Sequence, residues 1–390
     1  MNDDSSSAKQ LFGRKNPLLT KLVERRSLVL PGSEKETIHF VIEFEKGALR
    51  YAPGDSLGIF ARNPTALVDE IIAQLRLADD ARVRLPSGEV RSFREALESQ
   101  GILNRVTRKF MTCLAERVPQ GEQRNRLMGI VDNGDLLNDY IYTRDYVDVL
   151  RDFDEAAFDD PGEFLAQLSP IPPRLYSVAS AQQAHPDEAH LCVAAVRYET
   201  HGRKKAGLCS GFLADVAELG KREIPVYVQE SRTFRLPGDG GKDIIMCGPG
   251  TGIAPFRAFL EQRALDGSKG RNWIFFGEQH EATDFLYRDE LLAWHKNGLL
   301  THLDLAFSRD QPQKTYVQHR MKERARELWS WLQQGAYFYV CGDAQRMAKD
   351  VHQTLIEIAK TEGGMTGETA ATYVNVTLMK IEKRYLRDVY

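Results

Sequence analysis

The sequence predicts a multidomain β and α/β protein: an antiparallel β-barrel interrupted by a helical insert, followed by a doubly wound parallel α/β domain. Three observations predict it. Segments with period-two, β-branched patterning open the chain and return after residue 168, and the stretch between them has helical periodicity. From about residue 238, strand-like and helix-like segments alternate. At 390 residues the chain also exceeds the ~250–300 at which single cores stop growing.

Residues 1–14 are polar and read as a flexible tail. The barrel is expected over 15–63 and 169–237. Thr37-Ile-His-Phe-Val-Ile-Glu-Phe44 alternates as a half-buried strand does, and Tyr51-Ala-Pro-Gly-Asp-Ser-Leu-Gly-Ile-Phe60 reads as a turn between short strands. The insert spans 64–168, with an apolar helical stripe in Ala66–Leu75 and further helical pieces near Ser92–Glu98 and Asp135–Val149. Strand patterning resumes at Arg174–Ser180, His190–Tyr198 and Ile224–Val228. Gly238-Asp-Gly-Gly-Lys242 then forms a hinge into the α/β domain, 238–390. There, strands are expected at Asp243–Cys247, Trp273–Phe276, His302–Phe307 and Ala336–Cys341. Helices are expected from Pro255, through Trp331 and over Gln345–Ala359.

Composition excludes several classes. With 42% apolar and 27% charged residues the chain is an ordinary globular one, and a net charge of -3 provides no electrostatic footprint for nucleic acid. No run approaches the ~18 apolar residues of a membrane span, and no signal peptide opens the chain, so a cytoplasmic protein is expected. The five cysteines are far apart without a C-x-x-C pair, and the nine histidines are scattered, so neither a disulfide framework nor a metal site is expected.

The sharpest motif is Asp243-Ile-Ile-Met-Cys-Gly-Pro-Gly-Thr-Gly-Ile-Ala-Pro-Phe-Arg257. An apolar strand runs into Gly248, Gly250, Thr251 and Gly252 and then into a helix, whose free N–H groups and partial positive charge suit a pyrophosphate. A glycine triplet alone also makes a tight turn; its place at the opening of a β/α domain favours a dinucleotide. Ser308-Arg309 and Lys314-Thr-Tyr-Val-Gln318 add a hydroxyl, two cations and the Tyr316 ring, which suit a 2′-phosphate and an adenine and so favour NADPH over NADH. In the barrel, Arg174-Leu-Tyr-Ser177 offers a cation, a flat ring and a hydroxyl. Gly207-Leu-Cys-Ser210 enters a helix start.

Taken in order, R-x-Y-S, G-x-C-S, C-G-P-G-T-G-I-A-P-F-R, F-F-G-E, S-R-D with K-x-Y-V-Q, Y-V-C-G-D-A and the terminal R-Y-x-R-D-V-Y resemble the ferredoxin-NADP reductase superfamily. More narrowly they resemble the reductase half of diflavin enzymes, and above all the flavoprotein subunits of NADPH-dependent sulfite reductases. The resemblance covers nearly everything from residue 15 to Tyr390. It implies that Arg174, Leu175, Tyr176 and Ser177 hold the phosphate, ring face and N5 edge of FAD, and that Cys192, Val193, Ala194 and Tyr198 line its adenine and ribitol side. It makes Gly207, Leu208, Cys209 and Ser210 the pyrophosphate loop. Ser308, Arg309, Lys314, Tyr316, Gln318 and Asp350 would bind the NADPH 2′-phosphate and adenine. Ser177, Cys341 and Asp388 would form the hydride-transfer cluster, and Tyr390 would stack on the flavin and yield to the nicotinamide.

The same resemblance implies an enzyme that moves a hydride from NADPH to FAD and then single electrons to a protein acceptor. That acceptor would be the sulfite reductase haemoprotein subunit or a flavodoxin. Diflavin enzymes carry a flavodoxin-like FMN module of ~100 or more residues ahead of this region. Here residues 1–14 leave no room for one, so FMN is not expected in this chain. Two other readings stay open: a general reductase for a flavodoxin, cytochrome or oxygenase component, and a flavin-binding scaffold without turnover.

Overall fold

In the Leu18–Ser27 strand Leu18, Thr20 and Leu22 are buried while Leu19 and Val23 face solvent, the alternation of a strand with one wet face. It pairs antiparallel with Thr37–Glu43 on one side and Arg222–Gln229 on the other, with bulges after Thr20 and Leu22. The computed structural model, which describes residues 12–390, extends this into a six-stranded sheet. Its order is Arg174–Ser177, Ser56–Ile59, Arg222–Gln229, Leu18–Ser27, Thr37–Glu43 and Glu188–Ala194. An antiparallel bridge between Val178 and Leu191 joins its two ends and closes the barrel. The predicted tail lies largely outside the described residues.

The second sheet is parallel throughout, in the order His302–Phe307, Asn272–Glu278, Ile244–Cys247, Tyr337–Gly342 and Tyr385–Val389. Helices cover both faces, so its central strands read as continuous apolar runs. Alternate residues serve two cores: Ile245, Trp273 and Phe275 pack on one face, and Ile244, Met246, Ile274 and Phe276 on the other. Strand order reverses between Ile244–Cys247 and Tyr337–Gly342, and in open sheets of this kind ligands bind at the carboxyl edge of such a reversal.

The chain divides into two compact units. One joins the segments ending at Gly58, Leu175–Ala194 and Glu218–Tyr390, and so holds both sheets. Within it the helix Ala254–Leu265 is tied to the barrel. Arg257 donates to the Ala179 carbonyl at 2.6 Å and pairs with Glu261 at 2.9 Å, and Glu261 in turn accepts from the Ala181 N–H at 2.9 Å.

The other unit comprises Ile59–Arg174 and Ala195–Ala217. Its helices enclose an aromatic core of Phe93, Phe110, Tyr146, Phe158 and Phe164. Several of their starts carry side-chain caps, including the capping boxes of Ser92 with Glu95 at Phe93–Ser99 and of Asp145 with Asp148 at Tyr146–Asp152. The Arg197–Thr200 and Arg203–Ala206 strands form a hairpin turned by His201 and Gly202, both at positive φ, as a two-residue hairpin turn requires. Among the described residues no helix is long and apolar enough to cross a membrane.

Candidate hydride-transfer and nucleotide site

The glycine loop lies at the strand-order reversal. Gly250 adopts φ 58°, a left-handed conformation that favours glycine, and a Cβ on Gly252 would stand 2.1 Å from the Cys341 carbonyl oxygen. The loop therefore packs directly on the end of the neighbouring strand. From it the chain enters the Ala254–Leu265 helix with Pro255 in its first turn.

Parallel register sets Cys341 beside Asp388. The Asp388 carboxylate gathers the predicted cluster: Ser177 Oγ donates to Oδ2 at 2.6 Å, and Cys341 Sγ lies 3.9 Å from the same oxygen. Cys341 is fully buried. Burial first, and the Asp388 charge second, push its thiol well above the usual range, so it stays a neutral S–H. Tyr390 continues the terminal strand, its N–H donating to the Gly342 carbonyl at 3.1 Å and its carbonyl accepting from Ala344 N–H at 3.0 Å. The Tyr390 hydroxyl meets Thr251 Oγ1 at 2.9 Å, while 56% of the residue stays exposed. Sequence reasoning named all these groups. What it lacked was the strand Tyr385–Val389 that delivers Asp388 and Tyr390, a charged segment without period-two alternation.

Beside the loop lies a cavity of ≈ 520 Å³. Gly250, Ser308, Arg309, Lys314, Tyr316, Gln318 and Asp350 all line it, and Gln318 Nε2 donates to Asp350 Oδ2 at 3.2 Å. The sequence reading missed Lys35, which reaches the cavity from the loop between the first two barrel strands and pairs with the buried Glu278 carboxylate at 2.6 Å. Its neighbour Glu34 pairs with Arg309. Ser33-Glu-Lys-Glu36 follows a Pro-Gly turn and reads as a solvated charge run, so nothing local pointed to a wall of this cavity.

A family model described as an FAD binding domain matches residues 10–212, more than half of the chain, and one described as an oxidoreductase NAD-binding domain matches residues 226–353. The chain belongs to the ferredoxin-NADP reductase superfamily. Among curated proteins, the chain is 42% identical over 387 residues to the sulfite reductase [NADPH] flavoprotein alpha-component of Bacillus subtilis (strain 168), covering 99% of this chain and 63% of the relative. It is 41% identical over 380 residues to the same-named component of Mannheimia succiniciproducens, covering 97% of this chain and 62% of that protein. The Serratia proteamaculans component gives 40% over 380 residues, with the same coverage. The chain thus spans somewhat over three fifths of the length of these relatives.

The residues fit the two cofactors of the superfamily, FAD and NADPH. In the cavity, the Ser308 hydroxyl, the Arg309 and Lys314 cations and the part-exposed Tyr316 ring stand with two further cations, Lys35 and Arg346, a donor set that suits a phosphorylated adenosine. In the barrel, Tyr176 and Ser177 are half-buried and Leu175 is exposed. Cys192 and Val193 are buried in the core, where burial raises the Cys192 thiol to about 12, and only Ala194 at that strand's end faces solvent. In the helical unit Arg174 and Tyr198 are exposed. Gly207 N–H donates to the Val196 carbonyl at 3.0 Å, and Ser210 Oγ accepts from Val196 N–H at 3.2 Å. A Cβ on Gly207 would come within 2.8 Å of that hydroxyl oxygen, so the loop is shaped around a bare backbone there. Leu208 and Cys209 of the same turn are half-buried.

The histidines are not all scattered, contrary to the sequence reading. His39, His190 and His185 stand side by side in the barrel, with ring centroids 5.0 and 4.1 Å apart, and His185, Glu188 and His190 bring ligand-capable atoms within 4.8 Å of one another. Burial foremost, aided by neighbouring histidines and Arg257, lowers His39 to about 2 and His190 to about 4, so both are neutral near pH 7.

Proposed function

We propose that the chain is a cytoplasmic NADPH-dependent FAD reductase that passes electrons singly to the haem-bearing subunit of a sulfite reductase. The single observation that carries the reading is the convergence of Ser177, Cys341 and Asp388 next to a glycine loop that opens onto a cationic cavity. Bound FAD supplies the redox chemistry, accepting a hydride as two electrons and releasing them one at a time.

The chain's own residues position, select and exclude. Arg309, Lys314 and Ser308 take the 2′-phosphate, for which Arg309 leaves Glu34, and Tyr316 stacks on the adenine; Gln318 and Asp350 complete that wall. Arg174, Tyr176 and Ser177, with Tyr198 and Gly207–Ser210, hold FAD. Asp388 fixes the Ser177 hydroxyl in one orientation, and Cys341 stays a small, uncharged, buried neighbour that presents no competing nucleophile. Positioning of this kind, rather than covalent chemistry, lowers the barrier. Tyr390 guards the approach, and its hydroxyl contact with Thr251 contributes about 1 kcal/mol to holding the ring in place.

The test is anaerobic stopped-flow mixing of the FAD-loaded chain with NADPH, then with candidate acceptors. Flavin reduction followed by faster reoxidation by the sulfite reductase haemoprotein than by a flavodoxin or a cytochrome supports the reading. Absence of flavin reduction defeats it, and preference for another acceptor replaces the partner with a general one.

A further inference from the structure

The helical unit contains a buried ionic cluster that the hydride chemistry leaves unused. Arg203 and Lys205, two apart on the strand Arg203–Ala206, point the same way, and both meet the capping box of the Tyr146–Asp152 helix. Arg203 Nη1 lies 2.7 Å from both Asp145 carboxylate oxygens and 3.0 Å from Asp148 Oδ1, while its Nη2 reaches Glu70 at 3.1 Å. Lys205 Nζ pairs with Asp148 and stands 3.3 Å from Asp145 Oδ2. The Lys205, Asp145 and Asp148 side chains are only 5%, 3% and 4% exposed. Burial opposes ionisation of Asp148, yet hydrogen bonds from Lys205, the Asp145 backbone and Arg203 more than offset it, and its carboxyl sits below the usual range.

The same hairpin adjoins the groups assigned above to FAD. Lys205 is the cross-strand partner of Tyr198, and two residues beyond it, after Ala206, begins the loop Gly207–Ser210. The hairpin itself is short. Its strands are four residues each, Arg197, Tyr198, Glu199 and Lys204 are exposed, and a two-stranded ribbon is marginal by itself. Its further ties include two to the loop ahead of the same helix, Thr200 Oγ1 donating to the Thr143 carbonyl at 2.9 Å and His201 Nε2 meeting Thr143 Oγ1 at 2.9 Å, together with the exposed Arg197–Asp215 pair and a 3.5 Å bond from Asn104 Nδ2 to the Ala206 carbonyl. Buried ion pairs add little net stability over apolar substitutes, and their best-attested use is to fix register.

We propose that the helix cap of Asp145 and Asp148, clamped on Arg203 and Lys205, is a positioning device that sets Tyr198 and the Gly207–Ser210 loop for the adenosine-diphosphate half of FAD, and so makes the chain select FAD over FMN. It rests on the reading above that these residues hold FAD. Arg203 and Lys205 act through the hairpin rather than on the ligand.

The holoprotein is stripped of flavin and titrated with FAD and with FMN, following flavin fluorescence, for wild type, Lys205→Met, Asp148→Asn and Lys205→Arg. Circular dichroism and Tm monitor the fold, and Asp148→Asn, which preserves side-chain shape, carries the test should Lys205→Met fail to fold. The expected result is an FAD Kd raised on the order of tenfold (~1.4 kcal/mol) in Lys205→Met and Asp148→Asn. The FMN Kd should stay within about twofold, and Lys205→Arg should approach wild type, since it keeps the charge. Parallel weakening of both flavins, or unchanged FAD affinity, overturns the proposal. A wild-type chain that retains no FAD would instead defeat the functional reading; one that binds FAD with a selectivity indifferent to these substitutions defeats only the clamp.

Discussion

Replacing Arg309 and Lys314 together by alanine tests the nucleotide preference most directly. A 2′-phosphate carries about −1.5 to −2 charges, and a charge-assisted hydrogen bond contributes roughly 1.5–3 kcal/mol when sheltered. Neither cation is sheltered that well. The Arg309 side chain is 42% exposed and must first leave Glu34, an exposed pair worth about 0–1 kcal/mol. Allowing ~1–2 kcal/mol for Arg309 and ~1 for Lys314, the double variant loses ~2–3 kcal/mol, or about 30–150-fold in kcat/KM for NADPH. The loss belongs in KM, because the phosphate lies remote from the transferred hydride and binds ground and transition states alike. NADH, which has no such phosphate, should change by less than about twofold. The assay is NADPH and NADH titration with ferricyanide as acceptor. In the same assay Glu34→Gln, which removes the competing carboxylate, should lower the NADPH KM by about two- to fivefold. Equal losses for NADPH and NADH would refute the reasoning, as would a Glu34→Gln variant with a raised KM.

Asp388→Asn leaves the strand intact but weakens the hold on Ser177. Flavin reduction by NADPH should slow by about 10–100-fold in stopped flow, with FAD content and Tm unchanged. Deleting Tyr390 should ease NADH use and slow NADP⁺ release, read from the NADH/NADPH ratio of kcat/KM and from product-inhibition kinetics. Gly252→Ala drives a methyl group into the Cys341 carbonyl, so urea unfolding should report a loss of ~1–3 kcal/mol. Acid should destabilise the protein in a specific window. His39 and His190 titrate at about 2 and about 4 when folded against 6.5 ordinarily, so below pH 6.5 the unfolded chain binds more protons. Their stabilisation is present above 6.5 and drains away as pH falls, by up to ~2.7 kcal/mol per pH unit between about pH 6 and 4. Unfolding free energies at several pH values should show a shallower slope in His39→Gln.

Long, strongly periodic segments were legible from sequence. His302–Phe307 was placed to the residue, and the Ile244–Cys247 strand, glycine loop and following helix were read in order because glycine, proline and apolar runs each act locally. The site residues were legible for another reason: their order along the chain resembles a family, whereas their convergence on Asp388 depends on strand register, which no local pattern encodes. Less visible were features created by tertiary partners. Arg203 and Lys205 sit in a charged hairpin that looks solvated until the Asp145 cap meets it. His39 and His190 are far apart in sequence and become neighbours only when Thr37–Glu43 pairs with Glu188–Ala194. The predicted His190–Tyr198 strand breaks after Ala194, where the chain passes from the barrel unit to the helical one.

Arg257 and Glu261, which fasten the helix after the glycine loop to the main chain at Ala179 and Ala181, bear on how traffic is regulated. Both sheets belong to one compact unit, and this tie lies within it, holding the end of the glycine loop against the barrel. Under the proposal that Tyr390 covers the approach, turnover should then follow the mobility of that aromatic ring.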